Sequence, residues 1–355
     1  MLNGWVSAYF LFDIGDGIDL QAVAKDIDES VPARLSTRPS TPTYLQYQQP
    51  PLTLGGAVIG AAECEGFQVR LKLFDYGVIS VVLTRVLPDT WEEVLSSGLA
   101  WQEDQRLPAA AERVCRSLLQ RVSRAVLRAR DTFLSEDYWV FTVIRNEGDT
   151  AESFLSARGD LIAQLLRGER ELLSSQEREE TLRHRISYYE SDVVIASWSG
   201  ALVYDTPVGA PGVLEILEFA NSQLLEFRYY DHRLDKELAD IYAALQSGGW
   251  RRTLLSRRYA KAARQVHSLF IDVNELTDKV ENALKIVGDV YAARLFAMTA
   301  ARLGLEQWKT NVRDKLKTVD EINHFAFERS AMARGEFLEL TVVVLILLEI
   351  VLLMH

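Results

Sequence analysis

The chain has 355 residues, 48% hydrophobic and 10% aromatic, which is enough apolar material for a sizeable core and excludes a disordered chain. A formal net charge of -11 excludes a protein coated with nucleic acid over its whole surface and confines any polyanion site to a local patch. The two cysteines, Cys64 and Cys115, lie far apart in no ligand-like spacing, which excludes a disulfide framework and fits a reducing compartment.

The opening MLNGWVSAYFLFD has no basic region and meets Asp13 before an apolar run develops, so it reads as a first strand, Trp5 to Phe12, rather than a signal peptide. Gly15 and Gly17 supply a turn, and Asp19 is placed to cap a helix over LQAVAKDID. Residues 31 to 57, rich in Pro, Ser, Thr and Gln, predict an extended surface excursion. FQVRLKLF and VISVVLTRVL, joined by Asp75-Tyr76-Gly77, predict a hairpin. Asp89 or Thr90 caps a helix over TWEEVLSSG, a long amphipathic helix is predicted over 108 to 134, and YWVFTVI at 138 to 144 is the next strand. The order β-α-β-β-α-β is that of a ferredoxin-like sheet.

A helix over 152 to 167 and a charged stretch to about 185 precede a second hairpin, with Val193 to Trp198 pairing with Ala201 to Tyr204 around Ser199-Gly200. Beyond Pro211 the pattern is helical, with interruptions at Gly248-Gly249 and at Gly304. Val266, Val273, Val280 and Val287 recur every seven residues. Leu269, Leu276, Ala283 and Val290 follow three residues after each, which makes a packing seam for an intrachain bundle or an oligomer. Leu305, Trp308, Val312, Leu316, Val319 and Ile322 form a second stripe. The expected organisation is an α+β protein. Its parts are a ferredoxin-like domain over 1–150, a helix and second hairpin over 151–210 completing the α/β region, a helical stalk over 211–334 and a transmembrane helix over 335–355.

The run FLELTVVVLILLEIVLLMH at 337 to 355 carries that last expectation. As a helix it spans about 27 Å, the thickness of a thin bilayer core. Its Leu, Ile and Val residues favour insertion by about 4 to 7 kcal/mol against roughly 2.5 to 3.5 kcal/mol for Glu349. Lys309, Arg313, Lys315, Lys317, Arg329 and Arg334 precede the run and none follows, which keeps the bulk of the chain on the cytoplasmic or matrix side. Glu339 sits at the near boundary. Glu349 lies at depth and is read either as a contact between helices or as a carboxyl reaching the far interface.

No GxxxxGK[ST], HExxH, CxxC or GxSxG motif occurs, so neither an enzyme, a cofactor nor a metal site is expected. Asp13, Asp16 and Asp19 recur around one turn and fit either a divalent cation or turn and cap roles. His184, His232, His267, His324 and His355 show no ligand spacing, and Tyr188-Tyr189 and Tyr229-Tyr230 read as core and interface aromatics. One basic stripe stands out: Arg113, Arg116, Arg121, Arg124 and Arg128 fall on one arc of the predicted 113–130 helix, opposite Val114, Leu118, Val122 and Val126. It suits RNA phosphates, anionic lipid headgroups or an acidic partner, or a solvated face paired to the chain's own carboxylates. Arg251, Arg252, Arg257, Arg258, Lys261 and Arg264 form a second basic group with the same alternatives.

FDYGVISVVLTRVLPDTWEEVLSSG, YWVFTVI, YYESDVVIASWSGALVYD, LEFANSQLLEFRYYDHRLDKELADIY and the closing apolar run, in that order, resemble the required-for-meiotic-nuclear-division family, a bacterial and mitochondrial domain of unknown function with a C-terminal span. The resemblance implies a membrane-anchored protein without a known enzymatic activity, whose mitochondrial members are linked to supporting organellar translation at the inner membrane. The expectation is therefore a scaffold at the bacterial inner membrane, with the mitochondrial inner membrane as the second location. It would be homo-oligomeric through stalk and span, with RNA or the ribosome, or anionic lipid, at the basic stripe. An ion-conducting oligomer with Glu349 in its lumen is the alternative, and an enzyme on the ferredoxin-like sheet a further one.

Overall fold

The structure is a computed structural model that describes residues 2–28, 50–61, 63–130, 132–146, 148–246, 270–271, 273–274 and 290–322. It is a mixed α+β fold with a mixed sheet and long helices. The first strand, β1 (Gly4–Asp13), leads through β2 (Gly17–Ile18) to α1 (Leu20–Asp28), whose first turn is capped by Asp19 accepting from the amides of Gln21 and Ala22 at 3.1 and 3.0 Å. Next come β3 (Leu52–Gly55), β4 (Glu63–Cys64), β5 (Phe67–Leu73) and β6 (Val78–Val86), the last two forming the expected hairpin. Helix α2 (Trp91–Glu103) is capped by Thr90, and α3 (Arg106–Val122) follows. The remaining strands of the region are β7 (Val126–Leu127) and β8 (Leu134–Ile144). After α4 (Ala151–Arg167) and α5 (Ser175–Arg183) come β9 (Arg185–Ile186), β10 (Val193–Ala196) and β11 (Gly200–Asp205). Helix α6 (Ala210–Gln246), α7 (Val290–Arg302) and α8 (305–322) complete the described chain.

The main sheet runs β3-β5-β6-β1-β8-β11-β10-β9, with β4 paired to β5. The pairs β5·β6, β6·β1 and β1·β8 are antiparallel, and β11 joins β8 in parallel, which makes the sheet mixed. Alternation along β1 divides its two faces. Val6, Ala8, Phe10 and Phe12 enter an apolar core with α1, α2, α3 and α4. Ser7, Tyr9, Leu11 and Asp13 point the other way. The register places Lys72 opposite Ser80, Ser80 opposite Leu11, and Tyr138 opposite Tyr9, so the second face is polar at its centre. It is nonetheless buried.

Two expectations need correction. The helix predicted over 108–134 ends at Val122, passes through a 3-10 turn at Ser123–Ala125 and becomes β7, which pairs Leu127 with Gly17 and Val126 with Ile18. Val126 is as well buried in a strand as on a helix face, so apolar spacing alone does not tell the two apart. The charged stretch before 185 contains α5, held by its Ser174 cap and by Arg178 bonding Asp160 at 2.8 Å rather than by an apolar face.

The chain divides into two compact units, one comprising Met1–Tyr229 with Leu276–Glu306, the other Tyr230–Glu275 with Gln307–His355. The division falls inside α6. Within the second unit Lys315 of α8 bonds Asp231 at 2.8 Å and Asp235 at 2.6 Å, and Val312, Leu316 and Val319 of the predicted stripe are buried. Gly304 turns the chain with φ +65°, as expected. The Gly248-Gly249 interruption and the second basic group, 251 to 264, lie outside the described residues. So do Val266, Leu269, Leu276, Val280, Ala283 and Val287 of the seam. Val273 is buried, whereas Val290, at the start of α7, is 73% exposed. The run 337–355, with Glu339 and Glu349, also lies outside. Among the described residues no helix is long and apolar enough to cross a membrane.

Candidate functional site

The first half of α6 lies over the polar sheet face. Within LEILEFANSQLLEFRYY, Glu215, Glu218, Ser222, Glu226 and Tyr229 are three or four residues apart and so share one side of the helix. Four of the five have a partner on the sheet side that can be named. Lys72 on β5 bonds Glu218 at 3.0 Å and also bonds Glu215. The hydroxyls of Tyr76 and Ser222 are 2.6 Å apart. The Arg130 guanidinium lies 3.7 Å from the centre of the Tyr229 ring. The result is a polar seam, closed off from water, along a helix that is buried all round from Gly212 to Leu214 and from Ile216 to Phe227.

At its near end the seam is a lysine between two carboxylates. The Lys72 side chain is 6% exposed, and the 5.5 Å separation of its ammonium from the Phe74 ring adds a cation–π contact. Burial alone would depress its pKa, but Glu218 and Glu215 outweigh that and hold it above the ordinary value. Burial raises the Glu215 carboxyl, against the pull of Lys72 and with the push of Glu218. The buried Tyr9 phenol is raised first by desolvation and then by the field of Glu218. Glu218 Oε1 is buried without a hydrogen-bond partner, so the cluster is not internally saturated.

At the far end, three loops meet backbone to backbone. Ile14 donates to the Gly77 carbonyl at 3.0 Å, Asp16 to Leu127 at 2.9 Å, and Arg130 to Ile14 at 2.9 Å. Gly77 is required here: φ is +99°, and a Cβ would come within 1.9 Å of the Gly15 carbonyl oxygen. This junction delivers Arg130 to Asp13 and, at 3.0 Å, to Asp16, which in turn accepts from Arg128 Nε at 2.5 Å. Asp13 is fully buried with Oδ2 unmatched. Burial raises its pKa to about 7, with Arg130 opposing and Asp16 adding to the rise. The recurring aspartates are thus two arginine acceptors and one helix cap.

The five arginines of the expected stripe are exposed but do not share one helical arc. Arg113, Arg116 and Arg121 are on α3, Arg124 is in the 3-10 turn, and Arg128 follows β7 with a left-handed φ of +48°. Arg116 bonds Glu112 at 2.6 Å and lies 4.3 Å from the Phe133 ring centre. Sequence reasoning missed the polar seam itself. Its signal was present as polar residues at helical spacing in an otherwise apolar stretch, but their partners are more than 90 residues away.

The model of a family described as the N-terminal domain of the uncharacterized protein MJ0711 matches residues 3–210. The chain belongs to that family. The uncharacterized protein MJ0711 of Methanocaldococcus jannaschii is 27% identical over 222 residues, which cover 62% of this chain and 66% of that relative, just under two thirds of its length. No solved structure matches the chain. The match to the MJ0711 N-terminal domain takes in Lys72, Asp13, Asp16 and Arg130 and stops at the first residue of α6.

Proposed function

We propose that the protein is a membrane-anchored scaffold whose α/β domain is carried on the cytoplasmic side by a helical stalk and one C-terminal span at 335–355. The observation that supports this most directly is α6, a single 37-residue helix that begins on the sheet and continues into the helical unit. The strand order β5-β6-β1-β8, all antiparallel, supports the ferredoxin-like reading of the front domain. The resemblance to the required-for-meiotic-nuclear-division family and the charge bias before residue 337 favour the cytoplasmic membrane. The exposed arginines of α3 and its following turn favour anionic lipid headgroups as the nearby polyanion. Self-association proceeds through stalk and span.

Deleting residues 337–355 is expected to shift the protein from the membrane to the soluble fraction with its circular dichroism intact. Retention of the truncated chain on membranes after a carbonate wash would overturn the anchor. The full chain in mild detergent is expected to scatter light as an oligomer, and a strictly monomeric mass would remove self-association from the proposal.

A further inference from the structure

The far end of the seam gathers more acid than base around one buried guanidinium. Arg130, whose side chain is 12% exposed, donates to Asp13 and, at 3.0 Å, to Asp16, and it also lies in the field of Glu226 on α6. Arg128 reaches the group from an exposed position and serves Asp16. Fully ionised, Asp13, Asp16 and Glu226 would outnumber Arg130 and Arg128. Asp13 is the deepest of the acids, with Oδ2 buried and unmatched. Its strand neighbours bring it no further charge, because β1 is paired there with Val78 of β6 and Leu134 of β8. Beyond Arg130, only the Gly15 amide favours the ionised form, while burial and Asp16 favour the acid.

The cover over this group is a single turn of α6. The Arg130 guanidinium lies over the Tyr229 ring, 3.7 Å from its centre, and Tyr229 is half-buried. It is also the last residue of α6 that belongs to the first compact unit. Hydrating an ionised Asp13 therefore requires this turn to lift, not the sheet to part, and local openings of that kind need less than global unfolding. We propose that Asp13, Arg130 and Tyr229 form a proton-operated latch: with Asp13 protonated the turn is closed on Arg130, and loss of the proton lifts it so that water reaches the carboxylate. The direction follows from burial, which holds the closed-state pKa at about 7 against an ordinary 3.8. Opening is insensitive to pH below the lower value, grows as pH rises between the two and levels off above the upper one. The latch is independent of membrane anchoring.

The test is hydrogen exchange of the full chain in mild detergent, read by mass spectrometry on the α6 peptide 223–234 and corrected for intrinsic rates. Between about pH 5 and 7.5 the parent peptide should accelerate by about tenfold or more, and at every pH it should exchange faster than the amides of β1 and β6. Asp13→Asn, which keeps the shape without the acid, should hold the slow rate throughout. Tyr229→Leu, which removes the ring from Arg130, should exchange fast already at about pH 5 and flatten the profile. Circular dichroism matching the parent establishes that both variants are folded. A flat profile in the parent, an undiminished slope in Asp13→Asn, or β1 and β6 amides exchanging as fast as the α6 peptide would overturn the latch.

Discussion

Replacing Lys72 by Met tests whether the near end of the seam is a mutually compensated ion cluster. At 3.0 Å, with an effective dielectric constant near 20, the attraction of Lys72 to Glu218 is roughly 5 kcal/mol, and most of it offsets the cost of drying the two groups. The intact cluster therefore adds little net stability. Removing only the cation is another matter, because Glu215 and Glu218 are left facing each other in a buried space, at a cost of about 3 to 5 kcal/mol. The loss should depend on pH. Burial and the neighbouring Glu218 already raise the Glu215 carboxyl, and removing Lys72 takes away the charge that opposes that rise. The variant is then least impaired at acid pH, where Glu215 is protonated, and loses stability as pH rises through that raised value. Lys72→Met combined with Glu215→Gln and Glu218→Gln removes the charges together and should recover at least about half of the loss. Urea unfolding followed by tryptophan fluorescence measures all three comparisons. A Lys72→Met variant within about 1 kcal/mol of the parent, or a triple variant no better than the single one, would refute the reasoning.

Asp13 gives a second pH signature. Its folded pKa of about 7 exceeds the ordinary 3.8, so its contribution is fully present below the lower value and is lost as pH rises through the upper one. Between about pH 4.5 and 7.5 the parent should lose roughly 2 to 4 kcal/mol relative to Asp13→Asn, read from urea midpoints. A difference that does not change with pH would contradict this assignment. Gly77→Ala should cost about 3 kcal/mol or more, since it combines a left-handed φ with backbone overlap. Gly60→Ala, at φ +74° with open space around it, should cost about 1 kcal/mol, and equal melting temperatures for the two would argue against the three-loop junction.

Strands and caps were legible because their signals are local. Aromatic and β-branched runs mark β1, β5, β6, β8, β10 and β11, and Asp19 and Thr90 stand where caps belong. The end of α3 was not legible, because the burial of Val126 fits either periodicity and only pairing with Ile18, over a hundred residues earlier, selects a strand. Helix α5 escaped for the opposite reason: with one buried residue, Thr181, it has no stripe to read. The pairing of Arg130 with Asp13 and of Lys72 with Glu218 depends on sheet register and on where α6 lands. Neither is encoded in the residues that meet.

The family match ends where α6 begins. In this chain the sheet's second face is roofed by α6, which meets it through Lys72 with Glu218 and through Tyr76 with Ser222. Uncovering an oily face would expose the module to aggregation. A face built from Lys72, Tyr9, Ser80 and Tyr138 can instead be rehydrated, its ammonium and hydroxyls regaining water for what they lose.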